Sequence, residues 1–166
     1  MDHLWAPWRL AYIAREAPKP GDDDCFICRG LAEADDRKTL IVERTALTVT
    51  VLNRYPYNNG HLLVAPRAHK GRLDDLTGDE LFQVQVAVTR MVAVLESLMQ
   101  PEGFNVGLNL GKVAGAGLPG HLHWHVVPRW NGDTNFMTTV SGARVISQSL
   151  DALYSLLAPA LATPIP

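Results

Sequence analysis

The segment His121-Leu122-His123-Trp124-His125-Val126-Val127 constrains this chain more than any other. In an extended strand successive side chains point to opposite faces, so the three histidines share one face and Leu122, Trp124 and Val126 the other. One face must therefore pack a core, while the other presents imidazoles at intervals of roughly 6.6 Å. Histidine neither favours a strand nor fills a core cheaply, so incidental enrichment explains the run poorly. Two chemistries compete for it: an open zinc held by histidines two apart, and nucleophilic attack by one imidazole. The loop Gly111–Gly120 directly before the run favours the second. Its glycines, Gly115 and Gly117 among them, let main-chain N–H groups turn inward and cradle phosphate oxygens.

The remaining pattern predicts what surrounds that strand. Thr39–Glu43 and Ala46–Leu52 are rich in β-branched residues and read as paired strands. Asn58-Asn59-Gly60 reads as a turn into a short strand, His61–Ala65, stopped by Pro66. Thr77 and Glu80 have capping-box spacing. Behind them Leu81, Val84, Val88, Met91 and Leu95 form the apolar stripe of one long helix, ended by Pro101. Phe104–Leu110 and His121–Val127 read as strands, and about Ser147–Leu157 as a last helix, with Ile146, Leu150, Leu153 and Leu157 on one side. The expected fold is α+β, with a mainly antiparallel sheet of about five strands, one long helix and a C-terminal helix. Residues 1–24, with Trp5, Trp8 and Tyr12, read as an arm that packs on the body or a partner; the whole of 1–166 reads as one domain.

Composition narrows the partners. Fifteen basic against seventeen acidic residues give a net charge of −2, so no broad field for a nucleic acid exists and any phosphate needs a local site. The longest apolar stretch, Val84–Met99, is broken by Gln85, Arg90 and Glu96, which argues against a membrane span. Two cysteines build no disulfide framework, and the N-terminus lacks a signal-peptide pattern; a reduced, cytoplasmic protein is expected.

The histidine run resembles the signature of the histidine-triad (HIT) family at every position. The resemblance extends through Asn53 to His61, Gly107 to Gly111, Pro128 to Trp130 and Gly132 to Met137. With Leu4-Trp-Ala-Pro-Trp-Arg9, these flanks look most like the branch of diadenosine tetraphosphate phosphorylases and related dinucleoside polyphosphate hydrolases. The resemblance implies a HIT-like fold, a homodimer and cleavage of dinucleoside polyphosphates at the α-phosphate through a nucleotidyl-histidine. It implies no organic cofactor. It further implies that His123 is the nucleophile, that His125 contacts the same phosphate, and that Asn109 holds it. Asn53 would contact the ribose, with His61 either supporting the cluster or serving as a plain structural histidine. Phosphorolysis is slightly favoured over hydrolysis, although Gly117 stands near where the phosphorylases carry a serine. The alternatives are a zinc hydrolase using the histidine run and a nucleotide-binding protein with little turnover.

Cys25 and Cys28 have the spacing of half a zinc site or of a redox pair. Asp22, Asp23 and Asp24 stand immediately before them and disfavour the thiolate that redox chemistry needs. Zinc needs two more ligands, for which His69 and His121 are candidates; two buried thiols remain the alternative. The arrangement resembles the structural Cys-Cys-His-His zinc of some HIT proteins and of galactose-1-phosphate uridylyltransferases. Such a closed site would leave His121 to the metal and His123 to the chemistry.

Overall fold

The computed structural model describes residues 25–134 and 146–162, so the arm expected over 1–24 lies outside the described residues. Helix α1 (Phe26–Ala32) opens on Cys25, whose sulfur accepts the Cys28 N–H as an N-cap. A single turn, α2 (Asp36–Thr39), follows; it closes on Leu40 in the left-handed region and delays the first strand to Ile41. Five strands come next: β1 (Ile41–Arg44), β2 (Thr48–Leu52), β3 (Leu62–Pro66), β4 (Gly103–Leu108) and β5 (Trp124–Arg129). They pair antiparallel in the order β1-β2-β3-β5-β4. Pro66 does not stop its strand short but ends the ladder opposite Thr48.

The long helix α3 (Gly78–Met99) begins with the expected capping box: Thr77 accepts from the Glu80 N–H, and Glu80 accepts from the Thr77 N–H. By length and composition α3 could cross a bilayer, yet it lies on the sheet with Val84, Val88, Met91 and Leu95 buried. Leu81 departs from the expected stripe and is exposed, whereas Ala87 and Val94 join the buried arc further along. Helix α4 (Leu150–Ala162) starts later and runs longer than expected, burying Leu153, Leu157 and Leu161. Ile146 precedes it, half-buried. Arg90 ties three elements together: its Nε lies 2.8 Å from Glu43 of β1, and it donates to the Leu161 carbonyl at 2.7 Å.

The two faces of the sheet pack differently. Leu62, Val64, Trp124 and Val126 meet α3 and α4 in the main core. Val49, Val51 and Ala65 point the other way, towards Cys25, Ile27 and Leu118. His125 pairs with Leu63 and Gly107, so it belongs to this second face, opposite the long helix.

Candidate active site and metal cluster

The expected histidine strand is shorter than its pattern. The ladder begins at Trp124, so His121, Leu122 and His123 lie on chain that has not yet joined β5. That chain is pinned by the Leu122 N–H donating to the Lys70 carbonyl at 2.7 Å. The apolar positions still fall as expected, with Leu122, Trp124 and Val126 all in the core, but His121 and His123 are buried too and only His125 is partly exposed.

His121 faces the cysteines. Its Nδ1 lies 3.2 Å from Cys25 Sγ and 3.5 Å from Cys28 Sγ, and His69 Nδ1 lies 3.3 Å from Cys28 Sγ. The four donor atoms lie within 4.8 Å of one another. Zn–S and Zn–N bonds at tetrahedral angles put sulfur and nitrogen about 3.6 Å apart, so the spacing suits a zinc-sized ion. The tautomer suits it too. His121 Nε2 is 2.8 Å from the Pro66 carbonyl, which can only accept, so the proton sits there and the Nδ1 lone pair faces the sulfurs. Burial and the neighbouring Cys25 push the Cys28 thiol up to about 11. A cation among these donors would reverse that preference. Two glycines give the cluster room: a Cβ on Gly120 would lie 3.3 Å from the His69 ring, and one on Gly71 3.0 Å from the Pro119 carbonyl. Lys70, beside His69, is held by Glu80 at 2.7 Å.

His123 and His125 lie outside this cluster and face each other, ring centroids 5.2 Å apart. His123 Nδ1 is 2.8 Å from the His121 carbonyl, so Nδ1 carries the proton and Nε2 keeps a lone pair. Burial lowers its pKa, opposed by that hydrogen bond, and keeps the ring neutral near pH 7. Burial, with His123 adding to it, lowers His125 to about 4. The tautomer of His125 follows from its neighbours. The Tyr57 main-chain N–H donates to His61 Nδ1 at 2.9 Å, which leaves the His61 proton on Nε2. That Nε2–H donates to His125 Nδ1 at 2.9 Å, so the His125 proton lies on its own Nε2. His125 Nε2 is buried and has no hydrogen-bond partner among the described residues. The pair thus offers one lone pair and one N–H donor side by side, the complement of a phosphoryl group.

A cleft of about 410 Å³ opens beside His125, with Tyr57, Phe104, Val106 and Asn109 on its walls. Gly107 stands opposite His125, and a Cβ there would meet nothing, so no side chain fills the space. A larger cleft, about 570 Å³, lies between β1 and α4 and contains none of these histidines.

The other expected residues divide. Asn109 reaches the cleft, where its amide donates weakly to the Gly115 carbonyl at 3.4 Å. The Gly115 N–H does not turn to the site; it closes a turn on Lys112, while Gly117 is exposed. Asn53 is engaged inside its own loop, its Nδ2 3.2 Å from His61 and its Oδ1 accepting the Tyr55 N–H. Tyr57 escaped the sequence reading, as did the clamp behind it. Asn58 donates to the Pro128 carbonyl and to Asp133, which Arg129 grips through both oxygens. In the sequence they fall within the segments that carry the family resemblance, and Asn58 within the expected turn, but no role was legible for them.

A protein of Mycobacterium tuberculosis described as an AP-4-A phosphorylase is 42% identical over 163 residues, spanning 95% of this chain and 83% of the relative. The asymmetrical bis(5'-nucleosyl)-tetraphosphatase of Schizosaccharomyces pombe is 36% identical over 90 residues, 54% of this chain and 49% of the relative. A zinc-bound histidine triad family protein from Mycobacterium smegmatis superposes with a TM-score of 0.68 at 26% identity, covering 86% of this chain and 96% of that one. The HIT domain profile matches residues 34–132, a span that holds both histidine pairs and the whole sheet, and the chain belongs to the HIT family.

Proposed function

We propose that this protein cleaves dinucleoside polyphosphates, diadenosine tetraphosphate foremost, by nucleotidyl transfer through His123. The observation that carries the reading is the opposed tautomers, a lone pair on His123 Nε2 beside an N–H on His125 Nε2. His123 Nε2 attacks the α-phosphorus, and the bond to the bridging oxygen breaks with its electrons going to that oxygen. ATP leaves and AMP stays on the imidazole. An acceptor then attacks the same phosphorus and restores the histidine: inorganic phosphate gives ADP, water gives AMP. His125 donates to a non-bridging phosphate oxygen, and the Asn109 amide, at the cleft wall, turns from Gly115 to a second.

Phosphate is the acceptor this reading favours, because similarity to the mycobacterial phosphorylase runs over nearly the whole chain. Lys112 and the exposed Gly117 then supply the acceptor pocket. Diadenosine tetraphosphate incubated with and without millimolar phosphate tests this. ADP with ATP, formed only when phosphate is present, supports phosphorolysis; AMP with ATP at an unchanged rate makes the enzyme a hydrolase. No turnover at all returns it to a nucleotide-binding protein.

Cys25, Cys28, His69 and His121 would hold zinc in a closed tetrahedral set, which supplies structural anchoring and no reacting position. This reading is preferred to an open catalytic zinc because His121 faces the sulfurs while His123 and His125 join no cluster of metal donors among the described residues. Metal analysis of the purified protein is expected to give about one zinc per chain. The family resemblance supports a cytoplasmic homodimer, which light scattering on the purified protein and fractionation of cells test.

A further inference from the structure

Tyr57 touches both imidazoles behind the proposed phosphate site. Its main-chain N–H donates to His61 Nδ1 at 2.9 Å. Its ring lies 4.6 Å from the His61 ring and stacks on His125 at 5.5 Å, with 18° between the planes. His61 is fully buried, whereas Tyr57 is 45% exposed and forms a wall of the cleft. The tyrosine therefore lies between water and the fully buried His61, and covers one face of the half-buried His125.

The direction of the hydrogen-bond chain has a chemical consequence. It starts at a main-chain amide, a group that donates and cannot exchange roles. A water in that place could donate to His61 Nδ1 or accept from it, and both tautomers of His61 and of His125 would then be populated. With the amide there, only one arrangement satisfies all three groups, and it ends in an N–H on His125 Nε2. The loop carrying the amide is fixed from behind by Asn58, which bonds to the Pro128 carbonyl and to Asp133. Asn59 adds a bond to Gln148 at 2.9 Å.

We propose that Tyr57 is a positioning residue whose amide and ring together lock His61 and His125 in one tautomeric state, so that His125 always presents an Nε2–H to the substrate phosphate. The amide sets the direction, and the ring excludes the water that would undo it. The phosphate contact rests on the function proposed above; the tautomer lock does not. Among the described residues the ring groups facing His125 are His61, His123 and Tyr57, and none of them is a carboxylate that would draw a proton onto it. The lock also makes His125 a neutral donor rather than an acid that must be recharged. If it gave up its Nε2 proton, the chain behind it could not supply another, because the Tyr57 amide has none to release.

The test is nitrogen NMR of the full-length protein with labelled histidine, comparing wild type, Tyr57→Phe and Tyr57→Ala, with turnover of diadenosine tetraphosphate measured alongside. Wild type should show His61 and His125 as single Nε2–H tautomers from pH 6 to 8, and Tyr57→Phe, which keeps amide and ring, should match it. In Tyr57→Ala the His125 signals should move towards a tautomer mixture and titrate at higher pH. Its kcat should fall on the order of 10²-fold with KM changing far less, the scale of a misplaced catalytic group. A wild-type Nδ1–H tautomer at His125 overturns the proposal without any variant. So does a Tyr57→Ala protein whose tautomers and titration are unchanged, whatever its rate. If the tautomers behave as described and no substrate turns over, the lock stands and the proposed function fails.

Discussion

Two groups of donors, barely separated along the chain, take opposite forms in this molecule. Around Cys25, Cys28, His69 and His121 every donor atom converges on one point, and the spare nitrogen of His121 is tied to the Pro66 carbonyl. Around His123 and His125 the inner nitrogens are tied down in the same way, but the outer nitrogens are left to a site where His125 Nε2 meets no hydrogen-bond partner among the described residues. The first set is closed and suits a tetrahedral ion; the second leaves one lone pair and one N–H on offer. The same residue type serves both, and what decides its work is the partner of its second nitrogen.

The sharpest way to break this contrast is to remove the lone pair. His123→Ala should abolish turnover and the acid-labile nucleotidyl adduct seen by mass spectrometry after an alkaline quench, with the melting temperature little changed. Equal activity in variant and wild type would dismiss the division of labour. His125→Ala removes one donor and should lower kcat on the order of 10²–10³-fold while a nucleotidyl adduct still forms. Disturbing the closed set should act in the other currency. Cys28→Ala should lose the metal and lower the melting temperature markedly, but reduce kcat by less than the His125 change. The coupling is not zero, because His123 leans on the carbonyl of His121. An unchanged metal content in Cys28→Ala would contradict the closed set.

A smaller effect should appear with pH. His125 is held to about 4 in the folded protein, against about 6.5 for an unperturbed histidine. Between those values the unfolded chain binds the proton and the folded one does not, so stability falls as pH drops from about 6.5 to about 4. Urea midpoints across that range, measured in the Cys28→Ala background to remove metal release, should show the slope, and His125→Asn should flatten it. The smallest effect belongs far from either group. Arg37 pairs with Asp151 and Ser155 at the exposed seam of α2 and α4, and Arg37→Ala should cost less than about 1 kcal/mol and leave turnover untouched.

Where the sequence was legible, a hard periodicity or a fixed spacing carried the information. Leu122, Trp124 and Val126 lie in the core as the alternation requires, the Thr77–Glu80 box opens the long helix, and the two cysteines meet His69 and His121. What stayed hidden depends on tertiary partners. The β5 ladder starts three residues after the alternation does, because the chain before it pairs with Lys70 instead of a strand. Leu81 satisfies a helical stripe yet is exposed, while its neighbour Glu80 is buried in its contacts with Lys70 and Thr77. Asn53 reads as a ribose-contacting amide, and its contacts with His61 and with the Tyr55 N–H inside its own loop had no signal in the sequence. Tyr57 acts through a main-chain amide, and an amide has no letter in the sequence.

The interleaving of Leu122, Trp124 and Val126 with the three histidines also limits how this site can change over evolutionary time. Inserting or deleting one residue ahead of the run would swap its faces, sending imidazoles into hydrocarbon and tryptophan into water. Catalyst and foundation thus share one reading frame of side chains. Lineages that diversify substrate choice have substitution open to them at the cleft wall and in the Gly111–Gly120 loop, while length variation within 121–127 should be lethal to fold and chemistry in a single step.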